Sequence, residues 1–245
     1  MKYGIIADIH SNLEALQAVL AYLNKNKVDR LVVTGDVIGY GANPIECLEL
    51  LGQQNACIVR GNHEQGLLSG ELSSFRPEAA TALKWTSQQL SPEWLAMINA
   101  WPILYQEADF LACHGAPDEP LTGYVFSKSR ARQAFTVAFT LCFHGHTHFP
   151  GAYRQKETNS FLEIIPADFS GRMRVVLEPG WKYLINSGSA GQPRDGLPAA
   201  CVGIYEPTRR LFSLERINYQ AAIAREKIIR SGLPVSLGDR LLRGV

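Results

Sequence analysis

Apolar positions recur along the chain in two rhythms. KYGIIAD at 2–8 is a short, nearly continuous apolar run of the kind a strand covered on both faces requires, and RLVVTGD at 30–36 and ACIVRGN at 56–62 repeat it. Between them the spacing shifts to three and four. Leu13, Leu16, Leu20 and Leu23 mark one face of a helix within SNLEALQAVLAYLNKN, with Ser11 and Glu14 expected to form its capping box. Asn43 and Pro44 predict the cap and first residue of a second helix through IECLELL. Residues 66–101 change character: RPEAATALKWTSQQL and SPEWLAMINAW each read as a helix opened by proline, a helical insertion over the sheet.

After the insertion the strand rhythm returns in DFLACHG and TLCFHGH, separated by a helix around SKSRARQAF. From residue 151 onward strands dominate, in FLEIIP, RMRVVLE, KYLINSG, ACVGIYE and RLFSLERI, before a last helix in AAIAREKIIR. No internal repeat, low-complexity tract or linker interrupts this order. The expectation is one α/β domain over 1–245 with two sheets.

Composition narrows the function classes. With 245 residues, 46% of them hydrophobic and 19% charged, the chain can bury a large core. Its net charge of +1 counts against a protein built to grip a nucleic-acid backbone. No apolar run approaches membrane-spanning length and the N-terminus lacks a signal-peptide pattern, so a cytoplasmic protein is expected. The five cysteines form no CxxC pair and read as buried, reduced thiols.

The chemistry gathers at the C-terminal ends of the predicted strands, the edge where open α/β sheets bind ligands. Asp8 and His10 end the first strand, Asp36 the second, Asn62 and His63 the third, His114 the fourth, and His144, His146 and His148 the fifth. Each piece alone has a bland reading. GDVIGYG could be a turn shaped by its glycines, His63-Glu64 lacks the second histidine of a zinc-protease motif, and a lone His114 could be a core histidine. Half of the six histidines fall in HGHTH, which is either a metal site or a strand that points imidazoles one way. Together the five strand ends offer more ligands than one metal uses.

The ordered set Asp8-x-His10, Gly35-Asp36, Gly61-Asn62-His63-Glu64, His114 and Gly145-His146-Thr147-His148 resembles the calcineurin-like metallophosphoesterase family. The resemblance implies a four-layer α/β/β/α sandwich of two packed mixed β-sheets, with the helical insertion at about 66–101 near the active site. It implies two divalent transition metal ions, Mn, Fe or Zn by their mixed oxygen and nitrogen ligands. Asp8, His10, Asp36 and His148 are expected on the first metal and Asp36, Asn62, His114 and His146 on the second, with Asp36 bridging. His63 is implied as a catalytic histidine, whose protonation a neighbouring carboxylate such as Glu64 would favour.

Asp8 and His10, two apart on an extended segment, are expected to point to one side. Arg60 resembles a phosphate-contacting arginine, with a strand-end salt bridge as its alternative. Arg194, in the glycine-rich NSGSAGQPRDG, could reach a phosphate or brace its loop. His144 lies outside the Gly-His-x-His match and is read as a neighbour of the ligands. Phe75, Trp85 and Tyr40 are candidates to stack on a nucleotide base, against the plainer reading of tryptophans as core.

The function implied is hydrolysis of a phosphodiester or phosphoanhydride in a small, nucleotide-type substrate by in-line attack of a metal-bridging hydroxide. Alternatives are a phosphomonoesterase or protein phosphatase, a nuclease subunit, or a non-catalytic scaffold. The expected partner is a small phosphorylated molecule rather than a membrane or a nucleic acid.

Overall fold

A computed structural model describes residues 1–158 and 161–245. The first half runs β1 (Tyr3–Ile6), α1 (Leu13–Lys25), β2 (Arg30–Val33), α2 (Pro44–Gly52), β3 (Ala56–Ile58), α3 (Asn62–Ser69), α4 (Pro77–Gln89), α5 (Pro92–Asn99), β4 (Leu104–Gln106), β5 (Leu111–Cys113), α6 (Lys128–Ala134) and β6 (Leu141–His144). The second half adds β7 (Gly151–Lys156), β8 (Leu162–Pro166), β9 (Met173–Val176), β10 (Trp181–Asn186), β11 (Ala200–Glu206), β12 (Leu211–Ile217), α7 (Ala221–Arg230) and α8 (Val235–Arg243).

The strands form two six-stranded mixed sheets, ordered β3-β2-β1-β11-β12-β9 and β4-β5-β6-β10-β7-β8. In the first, β1 runs parallel to β2 and antiparallel to β11. In the second, β6 lies parallel to both β5 and β10. Because strand side chains alternate between faces, neighbouring apolar residues enter different cores. Ile5, Val32 and Phe212 pack between the sheets against Phe143, Tyr183 and Ile185. Ile6 and Val33 face the other way, onto α1 and α2. Cys142 and Leu184 likewise turn outward onto α6. The result is the expected helix, sheet, sheet, helix layering. Each such buried side chain contributes about 1.5–3 kcal/mol, which makes the strands a stiff base for whatever their ends carry.

Strands β4 and β7 were not predicted, and four further details of the helices depart from the sequence reading. Helix α1 starts after Asn12, whose side chain accepts the Ala15 N–H at 3.1 Å, while Ser11 stands outside with φ 53°. Asn43 precedes α2 without a side-chain cap bond and instead donates to Glu46. Asn62 and His63 open α3 rather than ending a strand. Helix α8 was not expected, although Leu233, Leu237 and Leu241 recur every four residues and pack with Ala224 and Ile228 of α7. The two tryptophans are packing residues: Trp94 lies against the α1–α2 core and Trp85 beside α7 and α8.

Candidate active site

The strand ends do converge, though not by the route expected. Beyond β1 the chain leaves the extended conformation, and Asp8 and His10 share a side because both adopt left-handed backbone, φ 52° and 49°. Asp36, His146 and His148 are left-handed as well, at 54°, 68° and 62°. Such a conformation costs a non-glycine residue about 1–2 kcal/mol, so five together store an energy comparable to the marginal stability of a fold.

The surroundings hold these turns in place. The Asp8 N–H donates to the Gly35 carbonyl, and the His10 N–H to that of Asp36. From below, the loop after β10 threads against the same turn: Ser189 Oγ and the Gly191 N–H both donate to the Asp8 carbonyl, at 2.8 and 3.0 Å. Asn186 donates to the Gly145 carbonyl and to Thr147, bracing the Gly-His-Thr-His turn. The roles of Asn186 and Ser189 were missed in the sequence because their side chains act on turns 39–41 and 181 residues away along the chain.

Three histidines are fixed in one tautomer. His10 donates Nδ1–H to the Ile38 carbonyl at 3.1 Å, His114 to that of Thr34 at 2.9 Å, and His148 to that of Gln192 at 2.6 Å. Their Nε2 lone pairs are therefore turned inward. His10 Nε2 and His148 Nε2 lie 3.2 Å apart, two acceptors face to face, with Asp8 Oδ1 3.7 Å from the second. His114 Nε2 meets Asn62 Oδ1 at 3.0 Å, His146 Nδ1 at 3.0 Å and Asp36 Oδ2 at 3.2 Å. Asp8 Oδ2 is buried with no partner among the described residues. Acceptors crowded this closely, with too few protons to share, need a cation. Three overlapping groups could hold one: Asp8 with His10 and His148, Asp36 with His114 and His146, and His10 with Asp36 and His63.

Protonation follows the same logic. Burial holds the imidazoles of His10 and His148 far below their usual range and pushes His146 down to about 3. Burial opposes charge on His114 too, but the charge and hydrogen bond of Asp36, with Asp8, outweigh it and push His114 up to about 10. Asp8 is raised to about 7, chiefly by burial. A site with only a proton to share places it on His114, beside Asp36.

The two oxygens of Asp36 face different groups. Its Oδ1 accepts the His63 N–H at 2.9 Å, at the positive N-terminal end of α3. Its Oδ2 faces His10, His63 and His114 at 3.7, 3.9 and 3.2 Å, within reach of both clusters. The geometry needs Gly61, where an added Cβ would collide with Asp36 Oδ1.

The His63 ring lies between Tyr40 and Phe75, with centroids at 4.7 and 5.3 Å. Burial first, only partly offset by Asp36, pushes it down to about 4. Glu64 does not face it, contrary to the expectation of a charge partner. The Glu64 carboxylate points back and accepts the N–H groups of Asp36, Ile38 and Gly61.

A cleft of about 530 Å³ opens above Asp36, Asn62, His63, His146 and His148. Tyr40 and Phe75 line it, and Trp85 does not. The structure does not bring Arg60 there either: its guanidinium bonds Asn99 of α5 at 3.2 Å. Arg194 does line the cleft while also bracing, through Gln192 Oε1 at 2.9 Å and Tyr40 Oη at 3.4 Å. Arg76, Arg240 and Tyr124 line it too, unanticipated because their elements lie far apart in sequence. His144 is buried outside all three clusters, near Asn186.

Two packed mixed sheets carrying clustered histidines and aspartates at one rim define a metallohydrolase of the α/β/β/α type. The chain belongs to the calcineurin-like phosphoesterase superfamily, whose domain pattern matches residues 1–209, and is a metallophosphoesterase. A metallophosphoesterase of Sphaerobacter thermophilus is 36% identical, with a TM-score of 0.88 over 100% of this chain and 99% of that one. An uncharacterized protein of Methanocaldococcus jannaschii is 35% identical over 98% of this chain and 97% of its own length. A symmetrical bis(5'-nucleosyl)-tetraphosphatase of Actinobacillus pleuropneumoniae is 37% identical over 72 residues, 28% of this chain and 27% of that protein. No helix among the described residues is long and apolar enough to cross a membrane.

Proposed function

We propose that this phosphoesterase is dinuclear and hydrolyses a phosphodiester or phosphoanhydride bond in a small, nucleotide-type substrate. Asp8, His10, Asp36 and His148 would hold one divalent transition ion, and Asp36, Asn62, His114 and His146 the other, with Asp36 common to both sets. The observation that carries this reading is the meeting of four acceptor atoms, from Asp36, Asn62, His114 and His146, within 3.0–3.2 Å of His114 Nε2 or at it. Two ions held there would acidify a water to a pKa near ~7 and neutralise phosphate oxygens, supplying the nucleophile for in-line displacement. Nitrogen and oxygen ligands without thiolate suit Mn, Fe or Zn.

The protein groups do the rest. His63, on the cleft wall, donates to the leaving oxygen; a phosphate brought against its ring raises its proton affinity from the low value that burial imposes. A planar base is accommodated by Tyr124, whose exposed ring stands edge-on to His146 at 5.1 Å and stacks on Phe126 at 5.8 Å. Tyr124 thus joins Tyr40 and Phe75, which also line the cleft, as a stacking surface, whereas Trp85 does not reach it. The partial likeness to a bis(5'-nucleosyl)-tetraphosphatase supports a nucleotide-type substrate.

The test is metal analysis together with Mn²⁺-dependent hydrolysis of bis-p-nitrophenyl phosphate, p-nitrophenyl phosphate, diadenosine tetraphosphate and cyclic nucleotides. Two ions per chain and turnover of at least one diester or anhydride are expected. A protein that binds no transition metal and stays inert with added Mn²⁺ would sink the reading.

A further inference from the structure

Three arginines enter the cleft from separate parts of the chain. Arg76 precedes α4, Arg194 lies in the loop between β10 and β11, and Arg240 projects from α8, yet all three line the space above Asp36 and His63. Asp36 is the sole acidic residue lining it among the described residues. Arg194 is anchored by Gln192 and Tyr40, while the side chains of Arg76 and Arg240 have no hydrogen-bond or ion-pair partner among the described residues. Arg240 also lies beyond residues 1–209, which match the superfamily pattern.

Charge counting gives these arginines a purpose. Two divalent ions against Asp8 and Asp36 leave the centre at a formal charge of roughly +2, already enough for the single negative charge of a phosphodiester. Three guanidiniums more, each a fork of N–H donors matched to phosphate oxygens, are surplus for such a substrate. They suit a ligand that carries further phosphoryl groups beside the reacting one.

We propose that the cleft selects a phosphoanhydride chain, with Arg76, Arg194 and Arg240 holding the phosphoryl groups that do not react. The proposal rests on the dinuclear reading above and narrows its substrate from diester or anhydride to anhydride. A nucleoside polyphosphate, a dinucleoside polyphosphate and inorganic tripolyphosphate share this chemistry. The planar group at Tyr124 distinguishes the first two from the third.

The experiment has a turnover arm and a binding arm, both on the full chain loaded with Mn²⁺. Wild type, Arg76→Ala, Arg240→Ala and Arg240→Lys are compared on bis-p-nitrophenyl phosphate, ATP, diadenosine tetraphosphate and inorganic tripolyphosphate. The alanine variants should lower kcat/KM for the polyphosphates about tenfold more than for the diester, through KM, with partial recovery in Arg240→Lys. Calorimetry should find methylenediphosphonate bound at least about tenfold more tightly than methylphosphonate by wild type, and both alanine variants should remove most of that difference. Equal losses on all substrates, or no preference for the diphosphonate, overturns the proposal even if the diester is hydrolysed. Absence of any turnover overturns the dinuclear reading instead, and the binding arm still decides the role of the arginines.

Discussion

Glu64 fixes the backbone of Asp36 without touching its carboxylate. Its Oε2 accepts the N–H groups of Asp36 at 3.0 Å and Gly61 at 2.8 Å, and its Oε1 that of Ile38 at 3.0 Å, all in a buried setting. One side chain thus ties the turn after β2 to the start of α3. In Glu64→Gln an amide NH₂ must face one of those donors, and an orphaned buried N–H costs about 1–3 kcal/mol. The variant should unfold at lower denaturant and bind Mn²⁺ roughly 10–100-fold more weakly, as seen when a group that orients ligands is lost. Undiminished metal affinity in calorimetric titration would show that this clasp is dispensable.

Asp36→Asn tests the shared oxygen. Both clusters lose their common acceptor charge, so elemental analysis should find less than the wild-type content of both ions. Turnover should drop by roughly a hundredfold or more, the larger end of what even an outer-shell loss costs. A variant that keeps two ions and its activity would contradict the assignment.

His63→Ala separates chemistry from metal binding. The His63 ring lies against Tyr40 and Phe75, and only its backbone N–H bonds Asp36, a bond that alanine preserves. The metal content should stay as in wild type while kcat falls about 10²–10⁴-fold. Parallel loss of metal would place His63 among the ligands.

Backbone strain gives a comparison with an unusual sign. His148 stands at φ 62°, so once its imidazole is removed a glycine fits the turn better than an alanine does. In chelator, His148→Gly should be more stable than His148→Ala by about 1 kcal/mol, after allowance for the greater freedom of glycine in the unfolded chain. Denaturant titration of the pair reads this directly, and the opposite order would mean that the turn carries no strain.

Acid should unfold the metal-free protein early. Burial holds His10 and His148 far below their unfolded value, His63 to about 4, and His144 and His146 to about 3. As pH falls below about 6.5 the unfolded chain takes up protons that these buried imidazoles refuse. The contribution of these histidines is therefore complete above that pH and is lost as pH falls towards the folded values, by about 1.4 kcal/mol per pH unit for each histidine. His114, raised to about 10, works the other way: its contribution is full below about 6.5 and is lost as pH rises towards 10. Asp8 and Glu64, each raised to about 7, take up protons in the folded state first and offset part of the loss on the acid side. Melting temperatures of chelated protein from pH 8 to pH 4 should fall steeply below about pH 6.5; a flat profile would contradict the neutral state of these imidazoles.

Much of this site was legible because its residues sit in short local blocks, such as Gly61 to Glu64, whose chemistry survives without knowledge of distant neighbours. The strands were legible for a similar reason: Ile5 and Ile6 are apolar because both faces of β1 are covered. Helix α3 was hidden by its polar start and Gly66, and the polar residues of GAYRQK concealed β7. Left-handed turns at Asp8 and His10 have no residue signature comparable to glycine, so an extended segment was the natural expectation. Glu64 looked like a partner for His63 because it adjoins it in sequence, but helical geometry sends adjacent side chains apart. Arg76 and Arg240 reach the cleft only through the packing of α4 and α8 against α7, which no local pattern records.

The pairing of β1 also sets a timetable. It finds one neighbour, β2, within thirty residues, but the other, β11, only where Tyr3 meets Tyr205. All the proposed ligands lie between Asp8 and His148, so a growing chain exposes each of them before the strand that locks the first turn exists. Metal capture by the proposed ligands would thus be a late step of biogenesis, waiting on long-range sheet closure of the kind that slows folding. A truncation just after His148 would keep every ligand in sequence and lose the centre they are meant to form.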